Sequence, residues 1–222
     1  MPSDIAAKPR RSYKSSKSNA PFSYGATGGI SISSIAPDNS SSSNCNFGFF
    51  GGGFFEYKFI ENIGGQVEVN FIQFGGEKVP SSLVFNPSSS FLSDVKSVDL
   101  TMYGVDIPVT AKYHLPNASP DMYLKIGISG TYIVKAQAAL NKESSIGSTY
   151  TSSTAYVDVT KKVQNMQACG IAGCGTSIPV GKLSIIIDVS FHYGITDLSA
   201  NNVVANNGFS SRYLKLGIGV GF

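Results

Sequence analysis

Asp188, Ser190 and His192 occupy alternate positions in the stretch DVSFH, and a carboxylate, a hydroxyl and an imidazole are the groups an acyl-transfer site would need. On a strand the three share one face. Strand rise, however, puts Asp188 and His192 about 13 Å apart at Cα, so the acid cannot orient the imidazole. The other histidine, His114, falls in a turn with Pro116 and Pro120 and is expected to be solvated. Cys45, Cys169 and Cys174 fit no zinc spacing. Cys169 and Cys174, five residues apart, would lie on opposite faces of a strand, and neither has a cation nearby in sequence to lower its pKa. We therefore expect no catalytic residue, no metal and no cofactor.

The elements around these residues repeat one pattern. Phe22, Tyr24, Ala26, Ile30 and Ile32 alternate with Ser23, Gly25, Thr27, Gly29, Ser31 and Ser33. Phe47, Phe49, Phe55, Tyr57 and Phe59 oppose Gly48, Gly52, Glu56 and Lys58, although Phe50 and Phe54 break the polarity of the second face. The same period of two runs through Gly65–Phe74, Val98–Tyr113, Met122–Lys135, Leu183–Ile195 and Tyr213–Phe222, and more weakly through the glycine-rich Val163–Ile178. Near Tyr103 and Gly104 the apolar face changes parity, as a β-bulge would cause. That makes eight strands.

Composition decides which way they face. Of the 222 residues only 14% are charged, about half the usual share, while 24 are glycine and 11% aromatic. No run of about 18 apolar residues exists to form a spanning helix. A soluble sandwich would carry Lys and Glu on its outer face, whereas the non-apolar face here is Gly, Ser and Thr with isolated charges. The inverted arrangement fits: apolar side chains toward lipid, small ones in a narrow lumen, and a closed cylinder, because an open edge in hydrocarbon leaves backbone groups unpaired. We expect an all-β, eight-stranded antiparallel transmembrane up-and-down β-barrel over residues 21–222, preceded by a flexible basic tail over 1–20.

That tail holds five basic groups against Asp4, leaving the remainder with twelve basic and thirteen acidic residues and no basic stripe for nucleic acid. It has no apolar signal-peptide core. Short links at Ile60–Gly64, His114–Asp121 and Pro179–Lys182 alternate with long polar loops at Ile35–Asn46, Gly75–Ser97, Ala136–Lys162 and Asp197–Ser211. Short turns and long loops at opposite ends mark the periplasmic and outer sides of a bacterial outer-membrane barrel, and an even strand count puts both termini in the periplasm. Counted from the short turns, Glu56, Glu68, Lys125, Asp188 and Lys215 reach similar heights and should form one buried charge network. Lys58 and Lys112 should sit nearer the periplasmic mouth and Asp106 nearer the outside. Buried charges persist only when paired, and a barrel of this size has a lumen that side chains fill.

The closing strand ends in Phe222 with Leu214, Leu216, Ile218 and Val220 at every second position before it. It resembles the strand that outer-membrane proteins present to the barrel assembly machinery. GFFGGGFFEYKF at 48–59, QVEVNFIQFGGE at 66–77, VDIPVTAKYHL at 105–115, YLKIGISGTYIV at 123–134, DVSFHYGITDL at 188–198 and LKLGIGVGF at 214–222 resemble the PorT-like family of small outer-membrane barrels of Bacteroidetes. The resemblance implies fold and location: an integral outer-membrane protein in contact with lipid. The expected role is a non-enzymatic structural or interaction component, accessory to a secretion or envelope complex through an envelope protein partner. A small ion or solute channel is the alternative, and a lipid-modifying enzyme the third.

Overall fold

The computed structural model describes residues 21–37, 43–80, 95–146, 149–198 and 208–222. The expected basic tail, most of the second and fourth loops and part of the first lie outside these residues. The described residues form nine strands: β1 (Phe22–Pro37), β2 (Asn46–Ile60), β3 (Ile63–Val79), β4 (Val95–His114), β5 (Asp121–Ile146), β6 (Thr149–Asp158), β7 (Met166–Val180), β8 (Leu183–Gly194) and β9 (Phe209–Gly221). Each barrel strand pairs antiparallel with its neighbours, β4 with β5 and β9 with β1, so the sheet closes on itself. β7 takes the sixth place beside the lower half of β5, and β6 pairs only with the upper half of β5 among the described residues. The barrel therefore has eight staves, and β5–β6 form a hairpin standing above one of them.

That hairpin corrects the sequence reading, which made Ala136–Lys162 a loop. Its Ser, Thr and Ala residues are punctuated by Tyr150, Thr151, Thr154, Tyr156 and Val157, residues that suit a pleated surface, and they pair in register from Gln137↔Asp158 to Ile146↔Thr149. The bulge is also placed differently. β4 keeps one parity from Val98 to His114, and the extra residue sits on β5, where Tyr103 pairs with Lys135 and Gly104 with Ile133. Below it Lys125, Ser129, Thr131 and Ile133 point inward; above it Ala136, Ala138 and Leu140 do.

Phe50 and Phe54, the exceptions on β2, are inward and buried. Glycines on facing strands make the room: a Cβ on Gly217 would meet the Phe50 ring at 2.8 Å, and one on Gly25 would meet the Phe54 ring at 2.7 Å. Aromatic rings thus fill space that the lumen glycines leave. On the outside, Phe22, Tyr24, Phe49, Phe55, Val67, Val69, Phe71, Leu124, Ile126, Ile128 and Ile218 are all exposed. Among the described residues, no helix is long and apolar enough to cross a membrane.

Candidate functional site: the lumen

The lumen is layered. Nearest the short turns, Glu56 on β2 accepts from Lys112 Nζ at 2.9 Å and lies 2.9 Å from His114 Nε2, both on β4. The other ring nitrogen of His114 lies 3.2 Å from both carboxylate oxygens of Asp121, which Lys58 approaches at 4.0 Å from the open mouth. The Lys112 ammonium also sits 4.1 Å from the centre of the Tyr123 ring, so a cation–π contact adds to its ion pair.

One layer higher, Asp188 on β8 accepts from Lys125 Nζ at 2.6 Å and from the Tyr123 hydroxyl at 2.8 Å. Glu68 on β3 accepts from the Gln66 and Asn70 side-chain amides, at 2.7 and 2.8 Å, and stands 3.7 Å from Lys125 and 3.8 Å from Lys215. Lys215 lies 3.9 Å from Asp106, which accepts from Thr131 at 2.9 Å, and its ammonium covers the Phe50 ring at 4.4 Å. The lumen carboxylates Glu56, Glu68, Asp106 and Asp188 thus face Lys112, Lys125, Lys215 and His114, so every acid has a cationic neighbour. Such sharing is what allows ions to persist in a space closed to bulk water.

Of the five expected network residues, Glu68, Lys125, Asp188 and Lys215 come together, and Glu56 sits apart with Lys112 and His114. Two expectations change. His114 is not solvated but 6% exposed, because β4 runs to His114 itself, farther than the turn prolines suggested. Asp106 is fully buried within the network rather than near the outside. The signal was available in the sequence: Asp106, Lys112 and His114 share one parity, and that parity is inward throughout β4.

Above the ions the lumen becomes apolar. Ile35, Ile72, Phe74, Val79, Val98, Leu100, Met102, Ile133, Leu140 and Phe209 form one buried cluster with Tyr213 at its lower edge. His192 stacks on Tyr213 with centroids 4.5 Å apart and is 3.4 Å from Ser190, while Asp188 is engaged with Lys125 and Tyr123. His192 is 1% exposed and faces the filled lumen, where no lipid ester reaches it. Cys169 is inward and buried, Cys174 outward and exposed, and both are free thiols, as is the exposed Cys45. No group of three or more His, Cys, Asp or Glu side chains suited to a metal occurs among the described residues. Leu214, Leu216, Ile218 and Val220 lie together on the outer face of β9, with Phe222 just beyond and stacked on Tyr24.

The fold is similar to solved outer-membrane barrels. Ail, the attachment invasion locus protein of Yersinia pestis, matches with a TM-score of 0.45 at 13% identity, over 91% of this chain and 100% of that one. Neisserial surface protein A matches at 0.42 and 15%, over 91% and 96%. A major outer membrane protein from Thermus thermophilus matches at 0.44 and 12%, over 89% and 98%. No curated protein matches. The family model for the outer membrane protein beta-barrel domain covers residues 10–200, and the chain belongs to that family.

Proposed function

We propose that this protein is a non-conducting, non-enzymatic barrel of the PorT-like kind, with both termini in the periplasm, serving as a structural or interaction component of the outer membrane. It would act as accessory to a secretion or envelope complex, meeting its partner through the loops or rim. The observation that carries this reading is the apolar cluster closing the lumen above the ion layers. An ion entering past Lys58 and Asp121 meets charges already paired, and then Leu100, Met102, Ile72 and Phe74, beside which Ser33 is engaged with the Gly75 amide and Ser211 with Gln167. The outward row Leu214, Leu216, Ile218, Val220 and Phe222 supports a role as the strand that the barrel assembly machinery reads.

Single-channel recording in planar bilayers tests it, with Lys125→Ala, Lys215→Ala protein alongside. The folded protein should be silent. Steady conductance altered by the two substitutions would overturn the reading in favour of a small ion or solute channel.

A further inference from the structure

Between the two ion layers the lumen keeps a cavity with room for about one water molecule. Its polar lining is Thr27 of β1, Gln66 and Glu68 of β3, Tyr123 of β5, Asp188 of β8 and, from the mouth side, Lys112 of β4. Most of these groups present acceptors. Gln66 donates its amide N–H to a Glu68 carboxylate oxygen at 2.7 Å. That oxygen only accepts, so the amide nitrogen is fixed toward Glu68 and the carbonyl oxygen is turned away from it. Gln66 is 5% exposed, and neither this carbonyl oxygen nor the Thr27 hydroxyl has a hydrogen-bond partner among the described residues. The Tyr123 hydroxyl has given its proton to Asp188 at 2.8 Å and keeps only lone pairs. A water has two protons to donate, fewer than the accepting oxygens of Gln66, Glu68, Tyr123 and Asp188 around it.

The charges lean the same way. In the layer above the cavity Glu68, Asp106 and Asp188 share Lys125 and Lys215, three carboxylates to two ammonium groups. His192 adds no charge there, because its Nδ1 meets no acceptor and a buried imidazolium needs one at each nitrogen. Lys112, the cation on the lining, is engaged with the layer below: its ammonium donates to Glu56 at 2.9 Å and covers the Tyr123 ring.

We propose that this cavity binds one monovalent metal cation of sodium's size, held by the Gln66 carbonyl, the Thr27 hydroxyl and the Glu68 and Asp188 carboxylates. Oxygen donors without a thiol or imidazole suit a hard ion rather than a soft transition metal. A water-sized space admits the ion only without its hydration shell, which magnesium gives up reluctantly. A layer short of one positive charge matches a single charge. The ion is held and not passed, since the apolar cluster closes the lumen above it. It ties β1, β3 and β8 together across the barrel, a role that goes beyond the structural or interaction function proposed above and does not depend on it.

Equilibrium urea unfolding of the full chain from lipid vesicles tests this, with sodium chloride exchanged for choline chloride at constant ionic strength so that screening is unchanged. The folded-to-unfolded ratio should rise with sodium, approaching about tenfold for each tenfold increase once the site is filled. Magnesium should do less. Sodium NMR of the protein in nanodiscs should show a broadened resonance from the bound ion. Thr27→Val and Gln66→Met should flatten the sodium response, and Thr27→Ser should keep it. Asn70→Leu is the control: it removes the other amide that donates to Glu68, at 2.8 Å, but Asn70 does not line the cavity, so stability should fall while the sodium response stays. Equal ratios in sodium and choline overturn the proposal and leave a water in the cavity. So does a ratio that follows pH and not sodium, which would mean that a proton on one of the three carboxylates supplies the missing charge. Flattening by Asn70→Leu as strong as by Gln66→Met overturns it too. Heat-modifiable gel migration shows that each variant has folded, and conductance in planar bilayers reads the closed lumen separately.

Discussion

Along β3, Gln66, Glu68 and Asn70 point into the barrel near the short turns, and Ile72 and Phe74 point into it at the next two inward positions. Outside, the order is reversed: Val67, Val69 and Phe71, then Gln73. β5 repeats the exchange, with Lys125, Ser129 and Thr131 inward below the bulge and Ala136, Ala138 and Leu140 inward above it. The lower half carries its charges within, packed against Phe50 and Phe54, and is apolar without; in the upper half most inward side chains are apolar, with Ser33, Ser211 and Gln167 among them, as in a soluble protein. The difference follows from what lies outside. Against hydrocarbon, moving an apolar side chain inward gains little, so the lower lumen is held by ion pairs and hydrogen bonds. Above the apolar belt the outside is water, where burial is worth roughly 25 cal/mol per Å² and an apolar core forms.

The largest expected effect comes from breaking the lower half. Lys125→Met removes the cation between Asp188 and Glu68. It should cost about 3–5 kcal/mol in urea unfolding from lipid vesicles, because two lumen carboxylates lose a partner. Adding Asp188→Leu should recover a large part of that loss, whereas two independent sites would simply add. In the upper half the corresponding cut is Leu100→Ala, which leaves a cavity among Ile72, Phe74 and Met102 and should cost about 2–5 kcal/mol in the same assay. An apolar lower lumen or a polar upper one would make both expectations fail.

A lysine scan on the outer face locates the exchange itself. Val69→Lys places an ammonium in the apolar belt and should cost about 2–4 kcal/mol, and Gln73→Lys, four residues higher on the same face, about 0–1 kcal/mol. Equal costs at the two positions would mean that the belt reaches past Gln73 and that the apolar cluster lies within the membrane.

The eight staves were legible because alternation survives wherever one face is uniform, as in Leu183–Ile195 and Tyr213–Phe222. The exchange of faces was legible only as a fault, the apparent parity change near Tyr103. A strand crossing from hydrocarbon to water changes which face is apolar without changing its pleat, and sequence alone does not distinguish that from a bulge. Both occur here: β4 changes polarity at constant parity, and its neighbour β5 carries the bulge. Most of the charge network could be placed by counting heights from the turns. His114 and Asp106 were misplaced because the turn prolines hid the last pair of β4 and because strand tilt shifts heights between neighbours.

The smallest perturbation uses the three native cysteines, which sample the three environments without altering any of them. Cys45 is exposed near the loop-end start of β2, Cys174 is exposed on the apolar outer face of β7, and Cys169 is buried in the lumen two inward positions from Gly173. A bulky, charged maleimide added to the protein in vesicles should modify Cys45 and spare both others. A lipid-soluble maleimide should add Cys174, whose side chain the pleat of β7 directs outward. Cys169 should react with neither reagent until urea unfolds the chain, because it is part of the buried apolar cluster, beside Ser129 and Tyr213. Labelling of Cys169 by the charged reagent in the folded state would show an open aqueous path through the lumen. Labelling of Cys174 by that reagent would show that the apolar outer face stands in water, and the division of the barrel into an inverted lower half and a conventional upper one would fall with it.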